Sequence, residues 1–136
     1  MVDVRIEERD AIATAVTVVP DASHWKDGLD RVWAAVRAGG LPAGRNVMRY
    51  GERVEVGVEL AGDTGDLIAS ELPGGPTAVG LRVGELSPAG IGEAHDAVRA
   101  WCAENGHELT GECWEIYGHM NDQPFELLVG WLLSRR

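Results

Sequence analysis

Trp114-Glu115-Ile116-Tyr117 is a short run of aromatic and β-branched residues with one carboxylate set among them. Such a run reads as a β-strand. Alternate side chains of a strand share a face, so Cys113, Glu115 and Tyr117 point one way and Trp114 and Ile116 the other. A glutamate in so apolar a run has two readings. It faces water on a half-buried strand, or it floors an aromatic-walled cleft, where a buried carboxylate is costly unless something pairs with it. A matching strand in the first half of the chain favours the second reading.

The match is one of register. Gly39 and Gly106, Gly44 and Gly111, and Tyr50-Gly51 and Tyr117-Gly118 are each 67 positions apart by subtraction, as are Ile12 and Val79, and Val16 and Val83. The second half then inserts six residues between Gly118 and Gly130 relative to Gly51 and Gly57. Two such copies pack about a pseudo-twofold axis, because neither can bury its open edge alone. The offset sets Met48 against Glu115 and Tyr50 against Tyr117. Two tyrosines then flank one shared cleft, and only one half supplies a carboxylate to it.

The chain around this pair reads strand, strand, helix, strand, strand, twice. Val2, Val4 and Ile6 alternate with charged residues, and Ala11 to Val18 is a second strand stopped by Pro20. Asp21 or Ser23 caps a helix starting near Ala22, with Trp25, Leu29, Val32, Trp33 and Val36 at helical spacing and a stop at Gly39-Gly40. Val47 to Tyr50 and Arg53 to Leu60 are strands, the latter with Val54, Val56, Val58 and Leu60 on one face. Residues 61–65 are a flexible seam, so the halves span about 1–61 and 66–134 of a single domain over 1–136. In the second half, Leu67 to Leu72 and Pro76 to Val83 are strands. Ser87-Pro88 starts a helix with Ile91, Ala94, His95, Val98, Trp101 and Cys102 on its inner stripe, ended by Asn105-Gly106. Glu112 to Tyr117 and Phe125 to Leu133 close the chain, with Arg135 and Arg136 as a solvated tail. The expected fold is α+β, one antiparallel sheet with two helices.

Composition narrows the function. At 136 residues, 45% hydrophobic and 25% charged, the chain is long and apolar enough for a packed core. A net charge of −10 argues against nucleic acid and anionic membrane as partners, and is compatible with a cationic or neutral ligand. Two cysteines, Cys102 and Cys113, make no disulfide framework, the N-terminus carries no basic and apolar leader, and no run is long enough to span a membrane. A cytoplasmic protein is the expectation. His24, His95, His107 and His119 lack metal-ligand spacing, and no nucleotide-binding glycine motif or nucleophile set occurs, so no cofactor and no metal is expected. His95 reads as a core residue and His119 as a loop residue. Glu55 and Glu59 share a face that reads as solvated.

The ordered set of short motifs resembles the GyrI-like small-molecule-binding domain, which is also the effector-binding part of BmrR-type multidrug regulators. It comprises Glu71-Leu72-Pro73, Val98-Arg99-Ala100-Trp101, Glu104-Asn105-Gly106, Gly111 and Trp114-Glu115-Ile116-Tyr117, with Gly44, Arg49-Tyr50 and Val54-Glu55-Val56-Gly57-Val58 in the first half. Coverage runs from about residue 2 to about residue 133. The resemblance implies both helices on one face of the sheet, a ligand cleft on the other, and a ligand contact at Glu115. Some stand-alone members hydrolyse cyclopropane-bearing alkylating natural products. The chain departs from the pattern at Arg82 to Pro88, which lacks an aromatic, at His95, where an aromatic is common, and at Trp131-Leu132, where a tyrosine is expected. No helix-turn-helix precedes the domain, so a stand-alone member is expected.

The first reading is therefore a binder of a lipophilic small molecule, cationic or neutral. Glu115 is its electrostatic anchor, Tyr50 and Tyr117 are its walls, and Met48, Trp131 and Cys113 line the cleft. Trp33 or Trp25 reaches the cleft edge, and Trp114 supports the sheet from the helix side. The alternatives are a hydrolase with Glu115 as general base and a gyrase-inhibitor-like protein modulator. A homodimer through a sheet edge is compatible with all three.

Overall fold

Alternation and helical spacing translate into ten regular elements in the computed structural model, which describes residues 2–119 and 121–135. They are β1 (Val2–Arg9), β2 (Ile12–Val19), α1 (Trp25–Gly39), β3 (Asn46–Tyr50), β4 (Val54–Glu59), β5 (Ile68–Leu72), β6 (Gly75–Val83), α2 (Pro88–Glu104), β7 (Leu109–Tyr117) and β8 (Glu126–Leu133). The first helix starts later than its sequence pattern suggests. The Asp21 carboxylate accepts from the Ser23 N–H and draws Ala22–His24 into a 3-10 turn before α1. Gly40, at φ 59°, ends α1 in the left-handed region that glycine tolerates best. Ser87 Oγ accepts from the Gly90 N–H and opens α2 at Pro88. Arg136 lies outside the described residues.

All eight strands join one antiparallel sheet in the order β1-β6-β8-β7-β3-β4-β2-β5. The order is unchanged when the halves are exchanged and the sheet is read from its other edge. The outermost strands cross over: β1 pairs with β6, and β5 with β2. At the centre, β3 pairs with β7 so that Met48 faces Glu115, Asn46 faces Tyr117 and Tyr50 faces Cys113. Since 115 − 48 is 67, the offset read from the sequence, each of Met48 and Glu115 faces its own counterpart. The pseudo-twofold axis passes between these two side chains.

The helices lie on one face, apart from each other. Val32 and Val36 of α1 pack on Ala15, Val58 and Leu60, over β2 and β4. Ala94, Val98 and Cys102 of α2 pack on Ala78, Leu127, Val129 and Leu133, over β6 and β8. Gly28 permits the close approach of α1, for a β-carbon there would lie 2.8 Å from Val19 Cγ1. Each helix covers its own half, so the central pair β3–β7 stays open between them. The cleft is therefore on the helix-bearing face, not on the opposite one that the resemblance implied.

Trp114 is corrected with it. It packs on the helix-free face with Val47, Leu72 and Ile116, flanked by Ile12, Leu128 and Leu132. Leu72 belongs to an edge strand and Trp114 to a central one, so the sheet curls toward this side. Glu55 also faces this side. It is buried rather than solvated, paired with Arg53 and accepting from Ser70 Oγ at 2.7 Å. Glu59 is held by Arg45 at 2.8 Å. Among the described residues no helix is long and apolar enough to cross a membrane.

Candidate functional site

The gap between the helices is a cavity of about 620 Å³, within the usual range for small-molecule sites. Its floor is Met48, Tyr50, Val56, Glu115 and Tyr117, and its walls are Trp25 and Leu29 of α1 with Leu86, Pro88 and Ile91 at the start of α2. Most of the lining is apolar, and among the described residues Glu115 is its one carboxylate. Trp25 stands 49% exposed at the mouth, so it walls the cleft instead of filling the core.

Glu115 is 2% exposed, so its polar atoms need partners. The two central strands supply two of them. Tyr50 and Tyr117 each donate a hydroxyl to Oε1, Tyr50 at 3.1 Å. Burial, followed by the charge of Glu115, raises both phenol pKa values, which keeps them protonated donors. The third partner comes from α2: His95 Nε2 lies 2.6 Å from Oε2. On its other side His95 Nδ1 receives the Trp131 indole N–H at 3.0 Å. Indole nitrogen only donates, so Nδ1 carries no proton and Nε2–H is the donor to Glu115. The imidazole is then neutral. Three neutral groups hold a buried carboxylate, and among the described residues no lysine or arginine pairs with it.

Of the residues that the sequence placed in the cleft, Glu115, Tyr50, Tyr117 and Met48 line the cavity. Trp131 and Cys113 share its face of the sheet but lie beside it. Trp131 packs edge-on to His95, with ring centroids 5.7 Å apart and Arg99 over its outer face at 5.5 Å. Cys113 is buried under Tyr50, and burial followed by Glu115 pushes its thiol up to about 12, which removes it as a nucleophile. Trp33 packs in the α1 core and does not line the cavity itself, but donates at 2.8 Å to Oδ1 of Asn46, which does. His95 is the residue that periodicity undervalued. Its helical position marks it as inward-facing, but not that the facing strand offers a carboxylate.

No family model matches the chain, and no curated protein matches it. Solved structures do. The C-terminal domain of EcmrR superposes with a TM-score of 0.69 at 14% identity, over 100% of this chain and 98% of that one. The fold is GyrI-like. A Vibrio cholerae integron cassette protein shares this GyrI-like fold at a TM-score of 0.66 and 8% identity, covering 98% of this chain and 95% of that one. So does SAV2435 bound to tetraphenylphosphonium, at 0.64 and 9%, covering 97% and 94%. In the present GyrI-like sheet, the two central strands bring the carboxylate and both tyrosines to the floor between the helices.

Proposed function

We propose that the protein binds a lipophilic cation with Glu115 as its anchor. The observation that carries this is the state of Glu115: a buried carboxylate in an apolar-lined cavity, held by three donors, none of which neutralises it. Such a carboxylate favours a ligand that brings the missing charge and little need for hydrogen bonds. Tyr50, Tyr117 and Trp25 offer aromatic surface, which suits a delocalised or aryl-substituted cation. The tetraphenylphosphonium bound to SAV2435, on the same fold, is a ligand of this class.

Simple binding fits Glu115 better than general-base hydrolysis does. Three of its roughly four lone-pair directions are already engaged, which leaves little to receive a proton from water. The test is titration of tetraphenylphosphonium against tryptophan fluorescence, with Trp25 at the mouth as reporter. Mass spectrometry of strained-ring electrophiles incubated with the protein runs alongside. Saturable binding with every compound recovered intact supports the reading. A product heavier by one water, absent with Glu115→Gln, replaces it with the hydrolase. No saturable binding, combined with a surface-dependent effect on a protein target, replaces it with the modulator.

A further inference from the structure

The cavity would have the same outline without Trp131, yet Trp131 fixes the hydrogen-bond pattern of its anchor. An imidazolium carries N–H at both nitrogens. If His95 took up a proton, its Nδ1–H would point at the Trp131 N–H, donor against donor, at the present separation of 3.0 Å. We infer that Trp131 is a charge-selecting positioning residue: acting through His95, it holds the imidazole neutral and so keeps the Glu115 charge available to a cationic ligand. This rests on the binding role proposed above.

Removal of the indole frees Nδ1 to take a proton. The imidazolium then closes an internal ion pair with Glu115, already 2.6 Å away, and a cationic ligand loses its partner. Retention of a cation at mildly acidic pH thus depends on a residue outside the cavity. The groups around His95 come from three strands and from its own helix. From β7 it faces Glu115, and through that carboxylate Tyr117. From β3 it faces the Tyr50 ring at 6.2 Å, and from β8 Trp131. The Cys113 thiol, opposite Trp131 on the neighbouring strand, is pushed up to about 12 and stays neutral. On α2 itself, Arg99 lies over the far face of Trp131 and is paired with Asp96.

The test uses the full chain with two variants and two readouts. Nitrogen-15 imidazole spectra of ligand-free protein report the His95 tautomer and its protonation. Tetraphenylphosphonium titrations from about pH 8 to 5 report the pH of half-release. The parent is expected to show the Nε2–H tautomer. In Trp131→Phe the imidazolium pattern and the half-release point are expected to move to higher pH together, by about half a unit to one unit, the worth of one hydrogen bond. His95→Gln keeps a donor and an acceptor but does not titrate, so its binding is expected to be flat across the range.

An Nδ1–H tautomer in the parent, or no movement in Trp131→Phe, overturns the inference. So does an equal pH loss for triphenylphosphine oxide, an uncharged aryl probe. If Trp131→Phe fails to melt cooperatively, His95→Gln decides, and a profile as steep as the parent's overturns the inference. The expected spectra without saturable tetraphenylphosphonium binding uphold the tautomer lock and overturn the binding reading alone.

Discussion

Replacing Glu115 by Gln removes one charge and almost no volume. Both carboxylate oxygens are already crowded, by Tyr50 and Tyr117 at Oε1 and by His95 at Oε2. An aryl-shielded cation therefore stands off, with its charge centre about 5 Å from the carboxylate. At an effective dielectric constant of about 20, the Coulomb term at that distance is about 3 kcal/mol. That corresponds to a loss of about 100- to 200-fold in affinity for tetraphenylphosphonium. Triphenylphosphine oxide has similar aryl surface and no net charge, and should change less than about threefold by the same reasoning. The assay is calorimetric or fluorescence titration of both ligands against parent and variant, after far-UV dichroism and melting have shown both to be folded. A cation affinity within about threefold of the parent would refute the assignment of Glu115 as anchor. Equal losses for both ligands would show that the side chain shapes the cavity and does not charge it.

Four further outcomes follow from packing and titration. Tyr117→Phe deprives the buried Glu115 of one of its two donors at Oε1 and is expected to cost about 1–2 kcal/mol in a urea unfolding series. Cys113 is expected to resist Ellman's reagent at pH 8 until the chain unfolds, because a thiol pushed up to about 12 is almost wholly protonated there. Its raised pKa also sets a sign: stability is full below the ordinary thiol value of 9.0 and declines as pH rises from there toward about 12, by about 1.4 kcal/mol per pH unit for each group that titrates only in the unfolded chain. Cys113→Ala should flatten that decline, as read from denaturation midpoints across the alkaline range. Gly130→Ala drives a β-carbon into the Trp114 indole on the helix-free face and is expected to destabilise by about 1–3 kcal/mol, with Trp114→Leu relieving part of the loss.

Much of the architecture was legible because periodicity is a local property. Val54, Val56 and Val58 announce a strand face, Ser87-Pro88 a helix start and Gly40 a helix end, each within a few residues of chain. The central pairing was legible for a different reason. The offset of 67 fixes a symmetry, and a twofold between two antiparallel strands makes counterparts meet, as Met48 and Glu115 do. That placed Tyr50 and Tyr117 around one carboxylate from subtraction alone.

What was not legible concerns sides and partners. Alternation says that Trp114 and Glu115 oppose each other, but not which of them the helices cover, since both faces here are apolar. The cleft and Trp114 were therefore assigned to the wrong sides together. The same limit hid His95 and Trp131. A helical stripe gives His95 an inward direction, and strand parity gives Trp131 a face, but their meeting depends on how α2 lies across β8. Glu55 was read as solvated because the strand face it shares with Gly57 and Glu59 carries no large apolar side chain. Ser70 covers it from β5, whose place in the sheet alternation does not specify, and Arg53 closes over it from two residues earlier.

The crossed outer strands bear on how the chain reaches this state. Val2 must find Arg82, eighty positions later by subtraction, before β1 has any neighbour in the sheet. During synthesis β1 waits, unpaired on both sides, until β6, the second strand of the second half, has been made. Neither half is a folding unit by itself, because each lends its first strand to the other. Assembly is consequently a high-contact-order, all-or-none event, slower than the helix content suggests and exposed to pairing between chains while it lasts. The cavity floor, built where the two halves meet, comes into being only with that last step.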